Sequence, residues 1–469
     1  MTPPHPAPSD VSVLPALRGD ELPDLRLPPP GPASRAALAH LKAHESRNVT
    51  AVADDFPVVW HAARGAAVRD VDGNTYVDAT SAFGVALIGH GHPEVVAAVQ
   101  RQAALLLHGM GDVHPPAVRI ELLAALAAMA PGDLGHAVLC GGGSEAVEVA
   151  QKTALLATGK PGILAFAGGY HGLGHGALDV TSRRDFRQPF ATQLARNATW
   201  LPFPQPSRPP RGVAPADVLA HTLERIDDAI GHPSQGGVPI GAVLLEPIQG
   251  RGGVIVPPSG FLAALRHLCD RHGVLLILDE IFTGLGRTGT LFAADADGVL
   301  PDLLCVGKAL GGGMPIAACL GRPQVMAAWP ESSGEALHTS TFLGHPVAAA
   351  AALATLQVIT RDAVPQRSAV LGSALMAALR VRLARQPWVR EIRGQGLMIG
   401  VDIADPQTGQ AAPQVAWRTV TGALRRGVVL LTSGVRGEVI QLTPPVCLTE
   451  AQAASVVAAL GAALEEAVA

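Results

Sequence analysis

The chain has 469 residues, with 35 basic and 39 acidic side chains for a formal net charge of −4, and 48% of it is hydrophobic while only 4% is aromatic. That length is too great for one compact core and calls for two or three lobes. The near-balance of charge argues against a nucleic-acid binder, which carries a basic excess, and points to small-molecule chemistry.

Residues 1–35 are rich in proline and lack helical periodicity, which predicts a loosely ordered, flexible arm. No basic stretch there leads into an apolar one, so no secretory signal is expected. Residues 36–92 are expected to open a small domain. Within them, residues 67–78 read as a hairpin whose turn is Asp72, Gly73 and Asn74. Helical segments follow at 93–107 and 117–129. Strand candidates then recur at 137–139, 162–166, 241–245, 274–278 and 303–306, each followed by a polar or glycine-rich loop and a helix. Continuous apolar strands alternating with helices predict an α/β fold with a mostly parallel sheet covered on both faces, the large domain, over residues 93–358. The Pro/Gly-rich residues 203–215 read as a surface loop interrupting it. The apolar run 346–359 is shorter than the roughly 20 residues of a membrane span and reads as a buried helix, so no membrane partner is expected. Residues 359–469 mix amphipathic helices with short strands and form the C-terminal part of the small domain. The five cysteines, Cys140, Cys269, Cys305, Cys319 and Cys447, form no CxxC pair, against a disulfide framework or structural zinc. Most lie in or beside apolar runs and read as buried thiols, which implies a reducing compartment and a cytoplasmic location.

Three motifs carry chemistry. Gly141, Gly142, Gly143 and Ser144 follow a short apolar strand and open a helical run. The free N–H groups and dipole of such a helix start make an anion site, and a helix cap with a tight turn is the competing reading. Asp279 ends the fully apolar run 274–278, where a buried carboxylate needs a cationic partner such as a protonated pyridine ring; taken alone, it reads better as a cap for the next segment. Lys308 directly follows the apolar run 303–306 between glycines, where partial desolvation favours the neutral, nucleophilic amine over a plain surface lysine. One strand–helix–strand unit separates Asp279 from Lys308, which predicts neighbouring strand ends. The segment Gly284, Gly286, Gly289 matches GxGxxG, but it lies beyond the strand instead of forming its turn, so a dinucleotide site is not expected. The histidines, among them His90, His92, His108, His114, His171 and His175, form no metal-ligand pattern.

Together these motifs resemble the class-III (subgroup II, ω-amino-acid type) aminotransferases that use pyridoxal 5'-phosphate (PLP), of fold type I. The likeness runs from about Phe56 to Leu448. It includes the 141–148 segment, Gly169 to Gly172, Glu246 to Gln249, Leu278 to Gly289, Gly307 to Gly313, Thr339 to Phe342 and Arg393 to Met398. The resemblance implies that Lys308 binds PLP as a Schiff base and shuttles a proton between substrate and cofactor, and that Asp279 pairs with the pyridine nitrogen. It implies that Gly143 and Ser144 hold the phosphate, joined by Thr341 from a neighbouring subunit. Tyr170 and Ile281 would stack on the ring, with His171 beside it, and Glu246 would join the active-site network. Arg393 would hold a substrate carboxylate, with Phe83 and Arg251 also on the substrate side. A shared site implies a homodimer.

Departures from the family pattern are Phe282 where Gln is usual, Leu173 in place of an arginine, His345 for an asparagine, and Arg251 for a glutamate. The last would leave two cations without a counter-ion, so the pocket is expected to favour a carboxylate beside Arg393 or a doubly anionic substrate. The function implied is amino transfer from an amino acid or ω-amino acid such as 4-aminobutyrate, ornithine or diaminobutyrate to a keto acid such as 2-oxoglutarate. The same scaffold and lysine also serve amino-acid racemases and epimerases.

Overall fold

The computed structural model describes residues 14–232 and 237–469. Its centre is a seven-stranded sheet in the order His136–Cys140, Ala317–Gly321, Leu303–Val306, Leu275–Asp279, Ile240–Leu245, Gly162–Phe166, Ala198–Leu201. Ala317–Gly321 runs antiparallel to both its neighbours, and the remaining pairings are parallel. The inner strands Gly162–Phe166, Ile240–Leu245 and Leu303–Val306 are short apolar runs buried along their length, as a sheet covered on both faces demands. Helices Gly143–Thr158 and Phe261–His272 lie against it, and Pro346–Arg361, apolar almost throughout, is buried across the helices Pro93–Leu105 and Ala117–Met129. The strands Ala198–Leu201 and Ala317–Gly321 were not foreseen from the sequence. Cys140, Cys269, Cys305 and Cys319 are buried and all five thiols are free.

A second core is assembled from both ends of the chain. Ala66, Val77 and Ala79 pack with Leu375, Val401, Val420, Ile440, Leu460 and Leu464. The hairpin Ala67–Asp70 and Thr75–Asp78 accepts the C-terminal strand Val428–Val429 in parallel beside it. An antiparallel sheet of Val389–Gln395, Met398–Ile403, Val439–Leu442 and Leu431–Ser433 completes this lobe. The last helix, Glu450–Val468, is long and apolar enough to cross a bilayer, and here its apolar face is buried in that core.

The proline-rich start differs from the expected loose arm. Residues 1–13 lie outside the described residues, but 14–31 are tied down. Glu21 accepts the amides of Arg18 and Gly19 (2.6 and 2.8 Å) within the run, and the hairpin takes others that a proline-rich stretch cannot pair itself. Asp24 exchanges backbone hydrogen bonds with Thr75 (3.0 and 2.8 Å). The amides of Arg26 and Leu27 donate to Oδ1 of Asn74 (2.8 and 2.9 Å). The helix Pro32–His44 begins where Ala33 and Ser34 donate to the Asp72 carboxylate (2.7 and 2.9 Å). The loop 203–215 is likewise more than a surface excursion. Phe203 joins the central core, and Arg208 reaches the small domain to pair with Asp402 (2.6 Å) and Glu438 (3.0 Å).

Within the small lobe, helix Val364–Arg382, whose Leu375 and Leu379 belong to the second core, crosses tightly over the turn before Met398. A Cβ on Gly372 would overlap the backbone carbonyl of Gly396. Glycine to alanine inside a helix ordinarily stabilises by about 0.5–1 kcal/mol. Gly372→Ala is expected to do the reverse, destabilising by about 1–3 kcal/mol through overpacking, read as a lower urea midpoint. An unchanged or raised midpoint would show that the helix can shift away.

Candidate active site

The strands Leu275–Asp279 and Leu303–Val306 are parallel neighbours with Asp279 opposite Cys305, so Asp279 and Lys308 emerge at the same carboxyl edge of the sheet. That edge is where an open α/β sheet binds ligands. A cavity of about 490 Å³ opens there, lined by Gly143, Ser144, Tyr170, His171, Glu246, Asp279, Ile281 and Lys308 among others.

Lys308 begins a short 3-10 turn with φ of 42°, a left-handed conformation uncommon for a residue with a side chain. Its Nζ lies 4.2 Å from the centroid of the Phe282 ring. Burial lowers its pKa, opposed by the charges of Asp279 and Glu246 and aided by Arg251 and Arg287. The ammonium is thus pushed toward the neutral amine that a nucleophile requires. Phe282 fits because of two glycines: a Cβ on Gly84 or Gly250 would overlap its ring.

Asp279 is almost wholly buried, and its Oδ2 meets Nδ1 of His171 at 2.7 Å. Burial disfavours charge on His171, but the hydrogen bond and charge of Asp279 outweigh it and raise the imidazole's pKa. Glu246 is buried as well. Its oxygens accept the amides of Tyr170 (3.0 Å) and Gly250 (2.9 Å), and desolvation raises its pKa.

Opposite the carboxylates, helix Gly143–Thr158 points its N-terminus at the cavity with no side-chain cap, the arrangement that favours a phosphate. Ile281 packs so closely that a Cβ at Gly143 would sit 2.8 Å from its Cδ1, and one at Gly172 would sit 2.7 Å from the Cβ of Ser144. At Gly143 and Gly172 there is thus no room for a side chain, which leaves the backbone at the start of the helix next to the cavity. An uncapped helix start, a buried acid backed by histidine, an aromatic face at Tyr170 and a desolvated lysine match the phosphate, ring nitrogen, ring face and aldehyde of PLP. The residues present fit that group.

Four sequence-expected site residues lie elsewhere. Thr341 is exposed and does not line the cavity. Phe83 is 63% exposed, in a run from Ser81 to Gly84 whose φ angles are all positive. Arg251 stands beside the cavity, its guanidinium carbon 5.0 Å from the Tyr170 ring centroid. Arg393 is the clear correction, because its guanidinium is already occupied. Nη1 bonds Glu391 and Asp402 (2.9 Å each), Nε bonds the carbonyls of Gly253 (3.1 Å) and Val254 (3.0 Å), and Nη2 bonds Gly253 (2.6 Å). It faces a separate cavity of about 320 Å³ near Arg208 and Arg436, not the one holding Lys308. A buried cation takes the acids nearest it, and Asp402, on the adjacent strand, was not legible as its partner from sequence. Phe186, whose ring lies 6.1 Å from that of Tyr170, was also missed, since nothing marks it in the sequence.

The sequence model described as "Aminotransferase class-III" matches residues 49–464. Among solved structures, an (S)-enantioselective omega-transaminase from Thermomicrobium roseum is 28% identical with a TM-score of 0.85, over 93% of this chain and 99% of that one. A PLP-bound amine transaminase from an uncultivated Pseudomonas species is 31% identical with a TM-score of 0.82, over 90% and 98%. The ornithine aminotransferase of Toxoplasma gondii is 29% identical with a TM-score of 0.79, over 92% and 95%.

The His171–Asp279 pair gives the cofactor-free protein a pH signature. A histidine whose folded pKa is raised adds stability that is fully present below its unfolded value of about 6.5, and loses it as pH rises through the folded value. The gap in urea midpoint between the parent chain and His171→Gln is therefore expected to narrow as pH is raised upward from about 6. A gap that stays constant would mean that the pair does not hold a proton.

Proposed function

The chain belongs to the class-III aminotransferases, PLP-dependent transaminases, and from that premise we propose that it passes the amino group of an amino acid or ω-amino acid to a keto acid such as 2-oxoglutarate. The observation that carries the reading is the pair of strand-end residues: a desolvated Lys308 and a buried Asp279 open into one cavity. Donors of the 4-aminobutyrate, ornithine or diaminobutyrate type are the candidates, each carrying a carboxylate that Arg251, beside the cavity, could meet.

Bound PLP supplies the electron sink at the amine-bearing carbon. The chain's own groups do the rest. Lys308 would hold the cofactor through Nζ, and once the substrate's amine has displaced it there, the freed Nζ would take a proton from the substrate carbon and return it. Asp279, fixed by His171, keeps the cofactor's ring nitrogen protonated. The amides at the start of Gly143–Thr158, with Ser144, hold the phosphate. Tyr170 and Ile281 confine the ring, and Glu246 fixes the backbone of Tyr170 and Gly250 through its two oxygens.

The functional unit we assign is a homodimer. Leu105, Leu107, Met110 and Val113 are exposed apolar side chains, and Leu337 and Phe342 belong to a second exposed stretch. The His108 and Phe342 rings lie 5.4 Å apart and join the two stretches. A patch of this kind calls for a partner surface, and the exposed Thr341 lies within it, where it can serve a neighbour's phosphate. Free thiols throughout suit a reducing compartment such as the cytoplasm.

The test is a visible spectrum of the holoprotein titrated with α- and ω-amines without keto acid. The cofactor band is expected to bleach with a donor and return with 2-oxoglutarate, and Lys308→Ala is expected to lose turnover by at least about a thousandfold. Optical activity lost from an α-amino acid with no acceptor would move the chain to racemisation. A Lys308→Ala protein that behaves like the parent would overturn the assignment.

A further inference from the structure

The transamination reading leaves one cation unexplained. Arg251 follows Gly250, whose amide Glu246 holds, and its guanidinium has no hydrogen-bond or ion-pair partner among the described residues. Instead it rests over the rings of Tyr170 (5.0 Å) and Phe186 (5.8 Å). Arg183 lies over the same Phe186 ring at 5.0 Å, so a second positive charge backs the first. Glu246 is spent on two backbone amides. Burial, with the charge of Arg183, disfavours the Arg251 cation, while Tyr170 and Glu246 favour it. A half-buried, unpaired guanidinium beside a ligand cavity is a site for a planar anion.

We propose that Arg251, laid on Tyr170 and Phe186, is the carboxylate-recognition group of this enzyme, and that Arg393 is the positioning residue that fixes it. Arg393 clamps the carbonyls of Gly253 and Val254 while anchored to Asp402 and Glu391, and the carbonyl of Arg251 itself accepts the Gly434 amide (2.9 Å). The turn bearing Arg251 is thus bolted to the small domain. The substrate class that follows is one with a carboxylate distal to the reacting amine or ketone: an ω-amino acid as donor and a dicarboxylic keto acid as acceptor. This rests on the transamination reading.

The experiment compares half-reaction rates of the holoenzyme with an ω-amino acid and with the isosteric amine lacking the carboxylate. Arg251→Gln is expected to lower the preference for the carboxylated donor roughly 10- to 100-fold, the worth of a charge-assisted hydrogen bond, mainly through KM. Arg393→Lys is expected to lower it in the same direction with Arg251 intact, and because the preference is a ratio, a loss of folded protein does not imitate it. In parallel, glutarate, a dicarboxylate with no amine, is titrated calorimetrically. It is expected to bind the parent and to bind Arg251→Gln at least about 10-fold more weakly. An unchanged preference together with unchanged glutarate binding overturns the assignment. If the parent reacts with no amine at all, the transamination reading falls, and the glutarate titration still decides Arg251.

Discussion

A guanidinium that meets no carboxylate among the described residues holds the two lobes in register. Arg287 is 1% exposed, and its donors reach the carbonyls of Pro444 (2.6 Å), Leu397 (3.2 Å) and Gly84 (3.4 Å). Burial pushes its pKa down to about 9, with Asp78 opposing. Removing a cation from water is costly, and the charge persists because three separate segments each turn an oxygen to it. Those segments are consequently fixed relative to the turn that carries Arg287, which adjoins Phe282 and the cavity. The left-handed run Ser81–Gly84 depends on this. It is held at one end by Arg287 and elsewhere by Asp78, whose Oδ2 accepts the Ala82 amide, and by Ser81 donating to the Thr443 carbonyl.

The same logic governs the second cavity, which Arg208 and Arg393 line. Arg208, Arg393, Asp402 and Glu438 form a chain of ion pairs across the lobe boundary. Within it each charge has a partner, so the network fixes geometry and leaves little to offer a ligand. Beside it Arg251 has only aromatic faces. Cations that look interchangeable in sequence are thus divided by burial and company into those paired with acids and, at Arg251, one laid on aromatic rings.

The central sheet was readable because its strands are short apolar runs ended by glycine or charge, and the charges that mattered, Asp279 and Lys308, sit at those ends. Helix Ala117–Met129 was legible to the residue because, Arg119 and Glu121 apart, it is an unbroken run of apolar residues dominated by the strong helix formers Ala and Leu. Ala198–Leu201 escaped because it is only four residues long and only partly buried at the sheet edge. Ala317–Gly321 escaped because it enters against the direction of its neighbours, and nothing local announces that. The occupied state of Arg393 was hidden for another reason: carbonyls 140 and 139 residues away and a carboxylate on the next strand claim it. The order of the proline-rich start was hidden because its partners are side chains of a distant turn. What the sequence conceals here is competition for a charged group, which only the folded neighbourhood decides.

The second core, built from both ends of the chain, sets a timetable for synthesis. The central sheet is complete once Ala317–Gly321 has left the ribosome, so Asp279 and Lys308 already stand at adjacent strand ends on a nascent chain. The hairpin of residues 67–78 must meanwhile wait, apolar face uncovered, for the strand Val428–Val429 and the helices that follow. The bracing oxygens of Thr443 and Pro444 arrive between that strand and helix Glu450–Val468. Domains fold as their residues emerge, and here the half that waits is the half made first. Asp279 and Lys308 thus leave the ribosome well before the small-domain segments that brace the turns around them, and the finished pocket is among the last features that translation delivers.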